Sequence, residues 1–374
     1  MRLGVNARRL EGQRLGVGRY IEYLVKHWGT MLRPEDEIVL YLREPPRPED
    51  VLPEGITTKL LRPRLTGIAW EAVHLPRAAR HVDVLFCPSY SRPPVFSGRT
   101  VVAIHSTNEA QAGTHPWWYS LTYSPLYRRS ARAAERVIVP SRSTLEDIKE
   151  LYEIPGERLV VVPQGVDDDF RRVEDEELLS AARRRWAGSD APYVLFVGKL
   201  SQRRNIPSLM RAFALAKKRA RLPHTLLLMG PNHLEQPIAD LAAELEIADS
   251  FVQTDGRVES HAELAAVYSG AELYVNASAY EGFSITLVEA FACGTPVITV
   301  DRAALTEIAG DAAMLVSEPT VEELASAIEL VLGDEALRRD LSSRGVERAK
   351  RYRWSDTARE TLAVLRTVAN GSAG

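Results

Sequence analysis

Two glutamates, Glu281 and Glu289, bracket the run Gly282-Phe283-Ser284-Ile285-Thr286-Leu287-Val288, between apolar stretches at 272–276 and 296–300. Gly282 would allow a tight turn, Ser284 would cap a helix reaching about Ala292, and Gly294 would end it. The backbone N–H groups of residues 283–286 would then lie at a helix N-terminus, where a phosphate binds well. Glu281 would sit on the loop beside the bound group, with Glu289 about one turn inside the helix. A carboxylate accepts from two vicinal hydroxyls at once, so Glu289 suits a ribose. A loop glutamate and a solvated helix glutamate account for the same two residues equally well.

A second group, Gly198-Lys199-Leu200-Ser201-Gln202-Arg203-Arg204-Asn205, follows the apolar run 193–197. Cations on a loop at the carboxyl end of a strand suit a diphosphate; the competing reading is a solvated surface loop. His105 follows the apolar run 101–104, where it would bond a substrate hydroxyl or act near a reacting carbon, unless it is a satisfied structural histidine. Gly16-Val17-Gly18 precedes a helix but lacks the third glycine of a dinucleotide fingerprint. Ser143 and Glu146 are spaced as a capping box. The run Asp167-Asp168-Asp169 reads as turn and cap chemistry, so no metal ligand and no cofactor are expected. No HExxH, P-loop, GxSxG or CxxC element occurs.

These groups need strands to position them. Apolar runs at 2–5, 37–41, 83–86, 101–104, 136–140 and 159–163 alternate with amphipathic segments, as buried parallel strands alternate with helices. The pattern lapses into a polar stretch between about 166 and 190. It restarts at 193–197, 225–229, 250–253, 272–276, 296–300 and 313–316. The expectation is α/β: two doubly wound Rossmann-like domains, 1–170 and 171–351, with a last helix near 352–370 crossing back to the first. A ligand would bind at the carboxyl ends of the strands, in a cleft between the domains.

The chain has 374 residues, 45% of them hydrophobic and 26% charged, which excludes a disordered or fibrous class. A net charge of -3 argues against a generally basic nucleic-acid binder, and no nucleic-acid partner is expected. Cys87 and Cys293 match no metal or redox spacing and are expected as reduced, buried thiols. The start lacks a signal-like apolar run, which favours a cytoplasmic protein. The segment 115–129 mixes Trp117, Trp118 and three tyrosines with Arg128 and Arg129. Such a surface would meet a membrane interface or an acceptor, although packing against a core explains it equally.

Taken in order, the motifs resemble retaining glycosyltransferases of family 4, with the GT-B fold, over nearly the whole chain. The resemblance rests on Glu281 and Glu289 with Gly282-Phe283, on Ala292-Cys293-Gly294-Thr295-Pro296, on Gly198-Lys199, and on Arg203-Arg204-Asn205. It extends to Val162-Pro163-Gln164-Gly165-Val166-Asp167, Pro140-Ser141-Arg142-Ser143, the Gly16–Tyr20 loop and the tail from Trp354 to Ala358. It implies transfer of a sugar, mannose or another hexose, from a nucleotide diphosphate donor such as GDP-mannose. The acceptor would be a glycan, a lipid-linked molecule or a small molecule, and the anomeric configuration would be retained.

By the same resemblance, His105, Lys199, Arg204 and Glu281 are the catalytic group, with Lys199 and Arg204 on the diphosphate. The donor-binding set is Gly16, Gly18, Gly198, Arg257, Val258, Gly282, Phe283, Ser284, Ile285, Thr286 and Glu289; Arg257 and Val258 meet the base. Ser106 stands where the family often has Asp, Gln164 where Asn is commoner, and Lys199 and Arg204 reverse the usual order of Arg and Lys. A same-fold sugar-nucleotide epimerase and a non-catalytic bilobal sugar-binding protein are the rival readings.

Overall fold

Short, fully apolar runs cannot leave either face in water, and here they are buried on both faces by helices. A computed structural model describes residues 1–11, 16–47, 52–62, 65, 67–110, 117–234 and 237–371. Its contacts divide the chain into two units, Met1–Gly165 with Arg353–Gly374, and Val166–Tyr352. Phe170 is buried in the core of the second unit, so residues 166–170 fall there and not with the first domain.

The first unit holds strands β1 (Arg2–Asn6), β2 (Glu37–Leu42), β3 (Ile56–Leu60), β4 (Val84–Cys87), β5 (Thr100–Ala103), β6 (Arg136–Val139) and β7 (Leu159–Val161). All are parallel, in the order β3-β2-β1-β4-β5-β6-β7. Among the described residues, the one strand not foreseen is β3. It lies at the sheet edge with Thr57, Thr58, Lys59 and Leu60 exposed, so it carries no apolar run.

The second unit holds β8 (Tyr193–Val197), β9 (Thr225–Met229), β10 (Phe251–Thr254), β11 (Leu273–Asn276), β12 (Val297–Val300) and β13 (Met314–Val316). Their order is β10-β9-β8-β11-β12-β13, again parallel. In each sheet the order reverses beside the first strand, between β1 and β4 and between β8 and β11. Open α/β sheets hold their ligands at the carboxyl ends beside such a reversal.

Helix Trp354–Ala369 follows the second unit in sequence and packs in the first. Trp28 donates its indole N–H to the Ala358 carbonyl at 2.9 Å, and Tyr23 stacks on Trp354 at 4.8 Å. Arg366 closes an ion pair with the buried Asp36 at 2.6 Å. Both cysteines are free and buried. The cap of helix Arg142–Tyr152 is Ser141 and not Ser143: the Ser141 hydroxyl accepts from the Thr144 N–H at 3.1 Å.

Candidate active site

In the second unit the chemistry gathers where β8 and β11 end. Chain leaving β8 turns at Gly198 (φ 136°) and enters a short turn, Gln202–Arg204, before helix Ile206–Ala220. The turn from β9 passes so close that a Cβ on Gly230 (φ 154°) would lie 2.0 Å from the Gly198 carbonyl oxygen. The Gly198 N–H donates to Met229 and the Gly230 N–H to Thr254, so three strand-end loops are laced together. Only a residue without a side chain fits at Gly230.

Chain leaving β11 is organised by Asn276, which is fully buried. Its Oδ1 accepts from the Ser278 N–H at 3.0 Å, and its Nδ2 donates to the Ser284 hydroxyl at 3.1 Å. This corrects the expected roles of two residues. The left-handed backbone of the loop falls on Ser284 (φ 122°) and not on Gly282. Ser284 does occupy the N-cap position of helix Ile285–Ala292, yet its hydroxyl turns to Asn276 and caps nothing. The leading N–H groups of that helix, at Ile285 and Thr286, therefore have no partner within it. Gly294 ends the helix region with φ 72°, as the sequence suggested.

Glu281 is 7% exposed and lies against both arginines of the β8 loop. One carboxylate oxygen is 2.9 Å from Arg203 Nη1; the other is 3.4 Å from Arg204 Nη2 and accepts from the Ser278 hydroxyl at 3.1 Å. Burial alone would raise this carboxyl, but Arg204 and then Arg203 outweigh it and hold it below the usual range. Arg204 lies 5.8 Å from the centre of the Phe196 ring, and its Nε and Nη1 are buried without a hydrogen-bond partner. A Cβ on Gly198 would come within 2.7 Å of that Nη1. Lys199 is exposed on the same loop.

Glu289 is buried at 1% exposure, so it is not a solvated helix residue. It accepts from the Tyr268 hydroxyl at 2.9 Å, while Tyr274 donates to the Thr286 hydroxyl at 2.8 Å. Phe283 packs edge-on to Tyr352 at 5.6 Å. Arg257 and Val258 follow β10: Arg257 pairs with Asp255 at 3.0 Å and is 79% exposed, and Val258 packs on the core. Asn276, Tyr268, Tyr274 and Gly230 carried no sequence signal: Tyr268, Tyr274 and Gly230 act through partners 12 or more residues away, and Asn276 through the turn that follows its strand.

In the first unit, Gly16 (φ 52°) is the N-cap of helix Val17–Trp28, and Gly18 lies buried in its first turn. Residues 12–15 of that loop lie outside the described residues. His105 has both ring nitrogens engaged: Nε2 lies 2.9 Å from the Pro88 carbonyl, which fixes it as the donor, and Nδ1 lies 2.9 Å from the Gln164 amide. Tyr20 meets the ring edge-on at 4.7 Å. Burial lowers its pKa to about 4, opposed by the bond to Pro88, so the ring is neutral at physiological pH. In the aspartate run, the Asp169 N–H donates to Asp167 Oδ1 at 3.0 Å, a turn as expected. Asp167, Asp169 and His261 each bring one ligand-type atom within 4.8 Å of the others.

Two Rossmann-like α/β units, each with its polar groups at strand ends, define the class; comparison with known proteins defines the family. The family described as glycosyl transferases group 1 matches residues 182–348, and glycosyltransferase family 4 matches residues 15–170. The chain belongs to this glycosyltransferase family. It is similar to the O-antigen chain mannosyltransferase B of Escherichia coli, 26% identical over 236 residues, 62% of this chain and 61% of that protein. It is also similar to the D-inositol 3-phosphate glycosyltransferase of Thermobispora bispora, 34% identical over 239 residues, 60% of this chain and 54% of that protein. The chain thus spans less than two thirds of these relatives' length. Among solved structures, Alr3699/HepE from Anabaena, in complex with UDP and glucose, superposes with a TM-score of 0.77 at 16% identity, covering 98% of this chain and 99% of that one. That likeness is one of fold.

Proposed function

We propose that the chain transfers a hexose from a nucleotide diphosphate sugar to a glycan, lipid-linked or small-molecule acceptor, with retention of the anomeric configuration. The observation that carries this reading is Arg204: a guanidinium with two buried nitrogens, Nε and Nη1, lacking a hydrogen-bond partner, in the same unit as helix Ile285–Ala292, whose Ile285 and Thr286 N–H groups have no partner within the helix. Both features call for an anion with several oxygens, and a diphosphate supplies one. Arg204 and Lys199 would stabilise the charge that grows on the departing diphosphate, which matters most in the transition state. Glu289 would hold the ribose, and Glu281 would act at the donor sugar. The mannosyltransferase relative makes GDP-mannose the first donor to test, and the UDP-bound neighbour in fold makes UDP-glucose the second.

The test is a crossover. Glu281→Gln keeps shape and removes a charge, so nucleoside diphosphate binding should persist while sugar transfer fails. Glu289→Ala should weaken the nucleoside diphosphate itself. Arg204→Ala should lower turnover by roughly 10²-fold or more, the scale of losing one preorganised charge-stabilising donor. Equal loss of nucleotide affinity in the two glutamate variants, at unchanged melting temperature, contradicts this division of roles.

The membrane surface belongs to the same proposal. On helix Trp117–Ala133 the exposed positions Trp118, Leu121, Pro125, Arg129 and Arg132 recur at helical spacing, apolar in the first half and basic in the second. Residues 111–116 lie outside the described residues. A lipid-linked acceptor would be met on this face. Binding to anionic vesicles that survives Trp118→Ser with Leu121→Ser contradicts that role.

A further inference from the structure

Arg203 has no role in the reading so far, although it is the residue most firmly tied to Glu281. Its Nη1 lies 2.9 Å from one Glu281 oxygen and also donates to the Tyr280 carbonyl, and its own carbonyl accepts from the Ala279 N–H at 2.9 Å. Arg204 reaches the other oxygen only at 3.4 Å, through Nη2. The three side chains are between 9% and 16% exposed, so their charges are little screened by water. Two guanidinium groups face one carboxylate, leaving the cluster one positive charge.

We propose that Arg203 is a positioning residue: by taking up the charge of Glu281, it leaves Arg204 available to the anionic end of the donor. The proposal rests on the nucleotide-sugar reading and deepens it. Without Arg203, Glu281 faces Arg204 alone, and the pair is neutral. The carboxylate then either draws the guanidinium into a closer contact or cancels its field at the diphosphate. Both outcomes weaken an anion held by Nε and Nη1 of Arg204. Arg203 is poorly placed for that anion itself, since its Nη1 already serves both Glu281 and the Tyr280 carbonyl.

The test measures calorimetric binding of UDP, GDP and ADP to the full chain, with a melting curve for each variant. Arg203→Ala should weaken the nucleoside diphosphate that the wild type binds by roughly thirtyfold or more, the lower end of the range for truncating one partner of a buried charge pair. Arg203→Ala combined with Glu281→Gln should recover most of that affinity, because the uncompensated carboxylate is gone. Arg203→Lys, which keeps the charge, should stay near wild type; where Arg203→Ala melts early, Arg203→Gln takes its place. A wild-type chain that binds none of the three nucleotides overturns the parent reading and this proposal together. Wild-type binding with no loss in Arg203→Ala, or a loss that Glu281→Gln fails to restore, overturns the proposal alone.

Discussion

His105 shows how burial decides what a residue can do. Its place at a strand end suggested a bond to a substrate hydroxyl, action near a reacting carbon, or a satisfied structural histidine, and its partners bear on the choice. A ring whose Nε2 donates to Pro88 and whose Nδ1 meets Gln164 is fixed in one tautomer, and its pKa of about 4 keeps it uncharged. It is therefore suited to hydrogen bonding and not to proton transfer near neutrality. The pH dependence follows from the depressed value. In the unfolded chain an ordinary histidine binds its proton near pH 6.5, and in the fold only near 4. The unfolded state therefore holds more protons between these values, and stability falls as pH drops through that window. The expected NMR titration of the His105 ring has its midpoint near pH 4, and His105→Asn should flatten the acid limb of the stability curve. A midpoint near 6.5 contradicts the partly buried, engaged ring.

At the scale of elements, the strands were legible and the loops only in part. Among the described residues, twelve of thirteen strands announce themselves as apolar runs, most of them because a parallel strand covered on both faces is apolar throughout. β3 is silent because its edge position exposes Thr57, Thr58 and Lys59. The types of the site residues were legible too: two glutamates, two arginines, a lysine and the glycines before a helix. Their pairing was not. That Glu281 lies between Arg203 and Arg204 depends on how β8 and β11 end side by side, and that Asn276 donates to the Ser284 hydroxyl depends on how the loop after β11 folds back. The close approach of Gly230 to the Gly198 carbonyl gives the sharpest structural prediction. Gly230→Ala places a methyl group against the Gly198 carbonyl at a φ that disfavours side chains. It should cost about 2–4 kcal/mol of stability and most of the nucleotide affinity. Gly333→Ala, at the end of helix Val321–Gly333 with open space around the added atom, should do neither. Equal melting temperatures for the two variants would falsify the close approach.

At the scale of the whole molecule, the two units carry separable tasks in this reading. The second holds Arg204, Lys199, Glu281 and Glu289, so it governs the nucleotide; the first holds His105, whose substitution should spare nucleotide binding and alter transfer. No helix among the described residues is long and apolar enough to cross a membrane. Two cations and a helix N-terminus can offset a diphosphate's charge, which makes turnover independent of divalent metal the expectation. The most direct measurement of the central claim is a donor panel run with the full chain in excess EDTA. GDP-mannose, UDP-glucose and related nucleotide sugars are followed by mass spectrometry, and the sugar product by NMR. The expected result is release of nucleoside diphosphate matched by sugar on an acceptor or on water, with the donor's anomeric configuration. Conversion of a nucleotide sugar into its epimer without nucleoside diphosphate release, or binding with no turnover, would contradict the account. A loss in EDTA that added metal restores would instead place a cation, with Asp167, Asp169 and His261 as its first candidate ligands.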